Sequence, residues 1–173
     1  MKSSKKKQIV IVGAGLIGST MAIALASKGF DVTVVDGAKH ADRVERNKSR
    51  TYALSRTSKN LLFNLGLWDP KKLNVSPIKN IVLSTKNNSN ELIRHLVDFN
   101  EANSSIGPSS YMIEDFYLRN TLASEIDKNT KIQLVDSSEV IQDETNSFET
   151  KIMLSDKSSI STEILIISDG RES

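Results

Sequence analysis

Apolar positions come first as a short unbroken run. Residues 8–12 (QIVIV) suit a strand buried on both faces of a parallel sheet. Gly13-Ala14-Gly15 interrupts the run, and the spacing after it predicts a helix from about Leu16 to Lys28. Gly18, Ala22 and Leu25 recur at i, i+4 and i+7, so one helix face is small or apolar and can lie close on a sheet. Gly29 stands where a left-handed residue is expected to end the helix. Residues 31–36 (DVTVVD) are β-branched and predict a second parallel strand, reached by a right-handed crossover.

Further along, the pattern alternates between polar stretches and short elements. Residues 37–53 are polar and read as an irregular excursion. A helix is expected from about Ser55 to Leu65, with Leu54, Leu61, Leu62 and Leu65 as its apolar stripe and Gly66 as its stop. Residues 78–85 and 91–99 read as a strand and its return, with a turn at Asn87-Asn88-Ser89-Asn90. Residues 100–110 read as loop. A helix from about Ile113 to Asp127 carries Phe116, Leu118, Leu122 and Ile126 as its apolar positions. Short strands are expected near 131–135, 138–142, 148–154 and 159–162, with a polar turn at Asp143 to Ser147, which suggests a small antiparallel meander. A last apolar strand, Ile164 to Ile167, leads into Ser168-Asp169-Gly170.

Composition narrows the function classes. With 173 residues, 38% hydrophobic and 25% charged, the chain fits one soluble globular domain with a smaller lobe. The net charge is +2, from 23 basic and 21 acidic residues. Lys2, Lys5, Lys6 and Lys7 account for four of the basic ones; without them 19 face 21, so the body has no basic surplus for nucleic acid. There are no cysteines, which excludes disulfides, thiolate metal sites and a cysteine nucleophile. His40 and His95 stand apart and form no ligand pattern, so no metal site is expected. The lysines followed by the apolar run from Ile9 to Ala26 mimic a signal peptide, but the glycine register inside that run argues for a folded turn instead. No run reaches transmembrane length.

The chemistry centres on residues 13–18. Gly13, Gly15 and Gly18 form a GxGxxG turn between strand and helix, and Asp36 ends the next strand, 23 positions after Gly13. The first glycine permits the tight turn, the second lets backbone approach a pyrophosphate, and the third lets helix and strand pack closely. The helix start offers unpaired N–H groups and a positive dipole end to phosphates. Asp36 is placed to accept bonds from ribose hydroxyls. With Ala14 and Ile17, which complete the turn, these are the candidate cofactor-binding residues; on this stretch alone the dinucleotide is FAD or NAD(P).

Two later segments favour FAD. They are residues 50–68 (RTYALSRTSKNLLFNLGLW) and 164–173 (ILIISDGRES). Together with residues 8–36 and 111–122 (YMIEDFYLRNTL), they resemble the single-component FAD-dependent aromatic hydroxylases, above all the hydroxylases of ubiquinone biosynthesis. The resemblance covers most of residues 8–70, then 111–122 and 163–173; residues 71–110 match only in β-rich character. It implies that Gly13, Gly15, Gly18 and Asp36 bind the ADP half of FAD. It also implies that Arg50 lies near the flavin and its phosphates, and that Asp169 and Gly170 form the turn that approaches the cofactor and the nicotinamide donor's path. Three positions depart from the family pattern: Lys48 replaces an acidic residue, Asp115 replaces an asparagine, and Ser168 replaces an alanine.

The expected fold is α/β: a Rossmann-like FAD/NAD(P)-binding fold with a small antiparallel meander and the start of a β-rich substrate lobe. Expected divisions are 1–75, the first part of the FAD-binding domain; 76–110, the partial lobe; and 111–173, a return to the FAD-binding domain. Family members run to more than twice this length, so the chain reads as their N-terminal portion. The resemblance implies that the complete enzyme uses NAD(P)H, FAD and O₂ to hydroxylate a small aromatic, polyprenylated substrate. A separately encoded C-terminal half is an expected partner, and the expected location is cytoplasmic or peripheral to the membrane. No catalytic acid or base is identifiable. The alternatives are a non-catalytic dinucleotide-binding remnant and an NAD(P)-dependent oxidoreductase.

Overall fold

A computed structural model describes residues 5–39, 50–86, 92–100 and 107–170. The order of elements is β1 (Lys5–Val12), α1 (Leu16–Ser27), β2 (Val32–Val35), β3 (Thr51–Ser55), α2 (Arg56–Asn64), β4 (Ser76–Pro77), β5 (Asn80–Lys86), β6 (Leu92–Asn100), β7 (Ser110–Glu114), α3 (Asp115–Lys128), β8 (Ile132–Val135), β9 (Val140–Thr145), β10 (Thr150–Leu154) and β11 (Ser159–Ile167). The chain divides into two compact units, one formed by residues 1–49 and 116–173 and the other by residues 50–115.

The first unit is built on a six-stranded sheet in the order β8-β2-β1-β11-β10-β9. The first four strands are parallel and the last two antiparallel. The continuous apolar run of β1 has the burial such a sheet demands, with Ile9, Val10 and Ile11 all within 2% of full burial. Every residue of β2 is buried as well. Val10, Val35, Ile152 and Leu154 form a shared core, with Val135, Val140, Ile160 and Leu165 packed around them. Residues far apart in the chain thus make one hydrophobic layer.

Helix α1 lies against this sheet through Gly18, Ser19, Ala22, Ile23 and Ala26. Gly18 and Ala22 are the expected contact positions, while Leu25 is only half-buried and Ala26 takes the buried place on the last turn. The helix stops as expected. Gly29 has φ +94°, its N–H donates to Ala26 O, and the Phe30 N–H donates to Leu25 O, which together make a Schellman cap.

The meander is antiparallel as expected, but it extends the parallel sheet rather than standing beside it. The separate strands expected at 159–162 and 164–167 are one strand, β11. Its two edges explain why: Ile160 to Ile167 pair in parallel with β1 on one side, and Ser159 to Thr162 pair antiparallel with β10 on the other. The polar Ser161-Thr162 pair does not break the strand because both residues are buried, and the Thr162 hydroxyl bonds Gln8 O at 3.2 Å and Ile164 O at 2.9 Å. Asp143 to Thr145 belong to β9, so the turn begins only at Asn146.

The second unit holds a three-stranded sheet, β3-β7-β4, and the β5-β6 hairpin. The hairpin matches the expected strand and return, and its turn at 87–90 lies outside the described residues. β3 and β7 were not expected as strands. Residues 51–53 fell in the polar excursion and Leu54 and Ser55 at the start of the expected helix, while residues 110–114 ran from the end of a loop to the start of another helix. They pair antiparallel with Tyr52 opposite Ile113, and that long-range partner turns two weak five-residue patterns into a ladder. Consequently α3 starts at Asp115 rather than Ile113. Its apolar positions Leu118, Leu122 and Ile126 are buried, with Phe116 half-buried. Helix α2 is capped by Ser55, whose side chain accepts from the Ser58 N–H. Leu62 is its buried residue, whereas Leu61 is 45% exposed and Leu54 belongs to β3. Gly66 follows the helix with φ +72°.

Candidate functional site

β1 has β2 on one side and β11 on the other, so the chain's winding reverses across β1. In an open α/β sheet, a crevice outside the carboxyl ends of the strands opens at such a reversal. The glycine turn occupies this place. Gly13 has φ +95°, and a Cβ there would lie 2.6 Å from Ser168 O and 2.7 Å from the Asp169 backbone. Its N–H donates to Val35 O at 2.7 Å, which ties the end of β1 to β2. A Cβ on Gly18 would lie 1.9 Å from Gly13 O. Gly18 is therefore the close-packing glycine between helix and turn.

Gly15 differs from both. It is the N-cap of α1 in an extended conformation, and a Cβ there would meet nothing within 4 Å. Among the described residues none crowds this glycine, and the open space beside it leaves room for a ligand to approach the backbone. The first bond of the helix ladder runs from Ser19 N–H to Gly15 O at 2.9 Å, so the N–H groups of the first turn form the open end of the helix dipole.

The carbonyls of the turn are held by side-chain hydroxyls. The Ser168 hydroxyl donates to Val12 O at 2.9 Å and to Gly13 O at 3.0 Å. The Ser19 hydroxyl donates to Ala14 O at 3.0 Å. Three successive carbonyls are thereby engaged within the protein, which reduces the negative potential an anion would otherwise meet at the turn. Ile17, on the first turn of α1, is 73% exposed and contributes no core.

Asp36 follows β2 and belongs to the same cluster. Its carboxylate accepts from the Ala14 N–H at 2.5 Å and from the Ala38 N–H at 2.8 Å. The adjoining segment after β8 is bound here too, with Ser138 N–H donating to Asp36 O at 3.0 Å. Glu139 lies over Gly37, where a Cβ would be 2.8 Å from its Cγ. Asp169 and Gly170 leave the end of β11 beside Gly13, and Gly170 has φ +97°.

The first unit thus brings together Gly13, Ala14, Gly15, Ile17, Gly18, Asp36, Asp169 and Gly170. Arg50 belongs to the second unit. Its carbonyl accepts from the Asp115 N–H at 2.8 Å, and its guanidinium lies 4.9 Å from the centre of the Tyr52 ring. Asp115 is fully buried at the first turn of α3, where the helix dipole favours a carboxylate. Nearby in the same unit, Arg56 holds the loop before β7 by bonding the carbonyls of Gly107 and Pro108. Among the described residues no cluster of histidine and acidic side chains could hold a metal ion. Sequence reasoning missed the Ser168 hydroxyl, because a serine after an apolar strand carries no signal of which carbonyl it will reach.

Strand order and the glycine turn define an α/β protein with a Rossmann-like fold. The family model of ketopantoate reductase PanE/ApbA matches residues 9–107, and by that match the chain belongs to this family. That match ends before β7 and does not include the strands β8 to β11 that complete the sheet. Relatives matched over a longer stretch of the chain are named as hydroxylases of ubiquinone biosynthesis. It is 28% identical over 172 residues to ubiquinone hydroxylase UbiL of Rhodospirillum rubrum, covering 99% of this chain and 39% of that protein. It is 29% identical over 135 residues to 3-demethoxyubiquinol 3-hydroxylase of Escherichia coli, covering 76% of this chain and 33% of that one. The chain therefore spans well under half the length of these curated relatives. Its fold is shared with PqsL, a probable FAD-dependent monooxygenase from Pseudomonas aeruginosa, at a TM-score of 0.71 and 17% identity, over 96% of this chain and 43% of that chain.

Proposed function

We propose that the chain binds FAD and forms the cofactor-binding part of a flavin-dependent monooxygenase that hydroxylates an aromatic ubiquinone precursor. The observation that carries this reading is the turn at residues 12–18, with the carbonyls of Val12, Gly13 and Ala14 bonded inward and open space at Gly15. In this reading the α1 start holds the pyrophosphate and Asp36 accepts from the adenosine ribose. Gly13 and Gly18 set the path of the turn, and Ala14 and Ile17 border it. Arg50, Asp169 and Gly170 serve the flavin end.

When bound, FAD supplies the redox chemistry. The chain's own residues bind and orient it. The electron donor is NAD(P)H, and the substrate is a small aromatic with a polyprenyl tail. The remaining substrate lobe comes from further polypeptide, with a separately encoded C-terminal half as one arrangement. No described helix is long and apolar enough to cross a membrane. Our reading places the protein in the cytoplasm, with membrane contact only through its lipid-tailed substrate.

The test is direct. The purified chain is expected to carry a flavin absorption band, or to quench the fluorescence of added FAD with a saturable curve. If neither happens, the FAD reading fails for this chain. The PanE/ApbA match favours a second reading, a nicotinamide dinucleotide at the same turn. Saturable binding of NADPH with no FAD binding would establish it instead.

A further inference from the structure

Dinucleotide binding at the glycine turn needs the backbone fixed before the ligand arrives, since ordering a loose turn on binding subtracts from affinity. Glycines make this harder because they leave the backbone more freedom than any other residue. Something must therefore hold Gly13 to Gly15 in place. The Gly13 and Ala14 amides are held by β2, through Val35 O and the Asp36 carboxylate. On the carbonyl side, the Val12 and Gly13 oxygens share the single hydroxyl proton of Ser168, a three-centre bond. The hydroxyl also sits tightly against the helix, 2.5 Å from where a Cβ on Gly18 would stand. It thus touches the turn at both ends, and Ser168 directly precedes Asp169 and Gly170.

We propose that Ser168 is a positioning residue of this site: its hydroxyl locks the glycine turn in its ligand-ready form and fastens that turn to the Asp169-Gly170 turn. The inference rests on the dinucleotide reading above. It assigns the anchoring of the Gly13 carbonyl to one side chain, which also reinforces the bond from its own backbone N–H to Val12 O at 2.8 Å; Ser168 lies 156 positions along the chain from Val12, and the Ser19 hydroxyl holds the Ala14 carbonyl separately.

The wild-type chain, Ser168→Ala and Ser168→Thr test it. Two readouts are needed: amide hydrogen exchange without ligand, and affinity for ADP. In Ser168→Ala, exchange at Gly13 and Ala14 should rise several-fold while the β10–β11 amides keep their protection. ADP should bind about three- to tenfold more weakly, the loss that follows from one hydrogen bond of ordinary net strength. Ser168→Thr, which keeps the hydroxyl, should restore the ADP affinity. Unchanged exchange at Gly13 and Ala14 in Ser168→Ala overturns the inference, even where wild type binds ADP and the dinucleotide reading stands. Exchange rising equally throughout the sheet also overturns it, because the hydroxyl is then a general packing group. Wild type failing to bind both ADP and FAD overturns the FAD reading and this inference together.

Discussion

A methyl group on Gly15 and one on Gly18 would meet opposite surroundings, and the two substitutions should separate folding from binding. At Gly18 the added carbon would press on Gly13 O at 1.9 Å, which is backbone and cannot rotate away. Gly18→Ala is expected to destabilise the chain by about 1–3 kcal/mol, as overpacking does, and a lowered denaturant midpoint would show it. At Gly15 the carbon would meet no protein atom. Gly15→Ala should leave stability within about 1 kcal/mol of wild type, the range of cap substitutions. Its ADP affinity should nevertheless fall at least tenfold in titration calorimetry. Equal affinities for Gly15→Ala and wild type would remove the pyrophosphate from this position. The three glycines were legible in the sequence as a motif. So was their division of labour; that Ser168 and Asp169 are the residues crowding Gly13 was not, because they lie far along the chain from the turn.

Among the elements, α1 is the one most completely written in local sequence. Its glycine start, its small-residue face and its Gly29 stop are all short-range signals. Gly29→Ala places a side chain at φ +94° and should cost about 1 kcal/mol, measured by thermal or chemical unfolding. Ser55→Ala removes the side-chain bond to Ser58 N–H at the start of α2 and should cost about 1 kcal/mol in the same measurement. β3 and β7 stand at the other extreme. TYALS and SYMIE are too short and mixed to declare themselves, and only their mutual pairing makes them strands. β11 shows the same limit differently. Its buried Thr162 looks like a break until the Gln8 carbonyl is placed opposite its hydroxyl.

At the scale of the molecule, the central strand β1 depends on β11, which lies far along the chain from it. Without β11, β1 loses its longest partner and β10 loses its link to the parallel strands. Ending the chain at Ser158 should therefore abolish cooperative unfolding, seen as a sloping circular-dichroism melt in place of a transition. The untruncated 173-residue chain with Ile152→Ala should keep the transition but lose about 2–5 kcal/mol, because Ile152 is fully buried in the shared core. By itself the sequence determined the βαβ unit, its glycine turn and the family resemblance, since runs of β-branched residues, helical spacing and glycine positions act over a few residues. Tertiary structure alone decided which strand flanks β1, that the meander extends the parallel sheet, and that the Ser168 hydroxyl closes on the carbonyls of Val12 and Gly13. Each of these joins residues far apart in the chain. Hydrogen bonds and packing across such distances leave no periodic trace in the residues that make them.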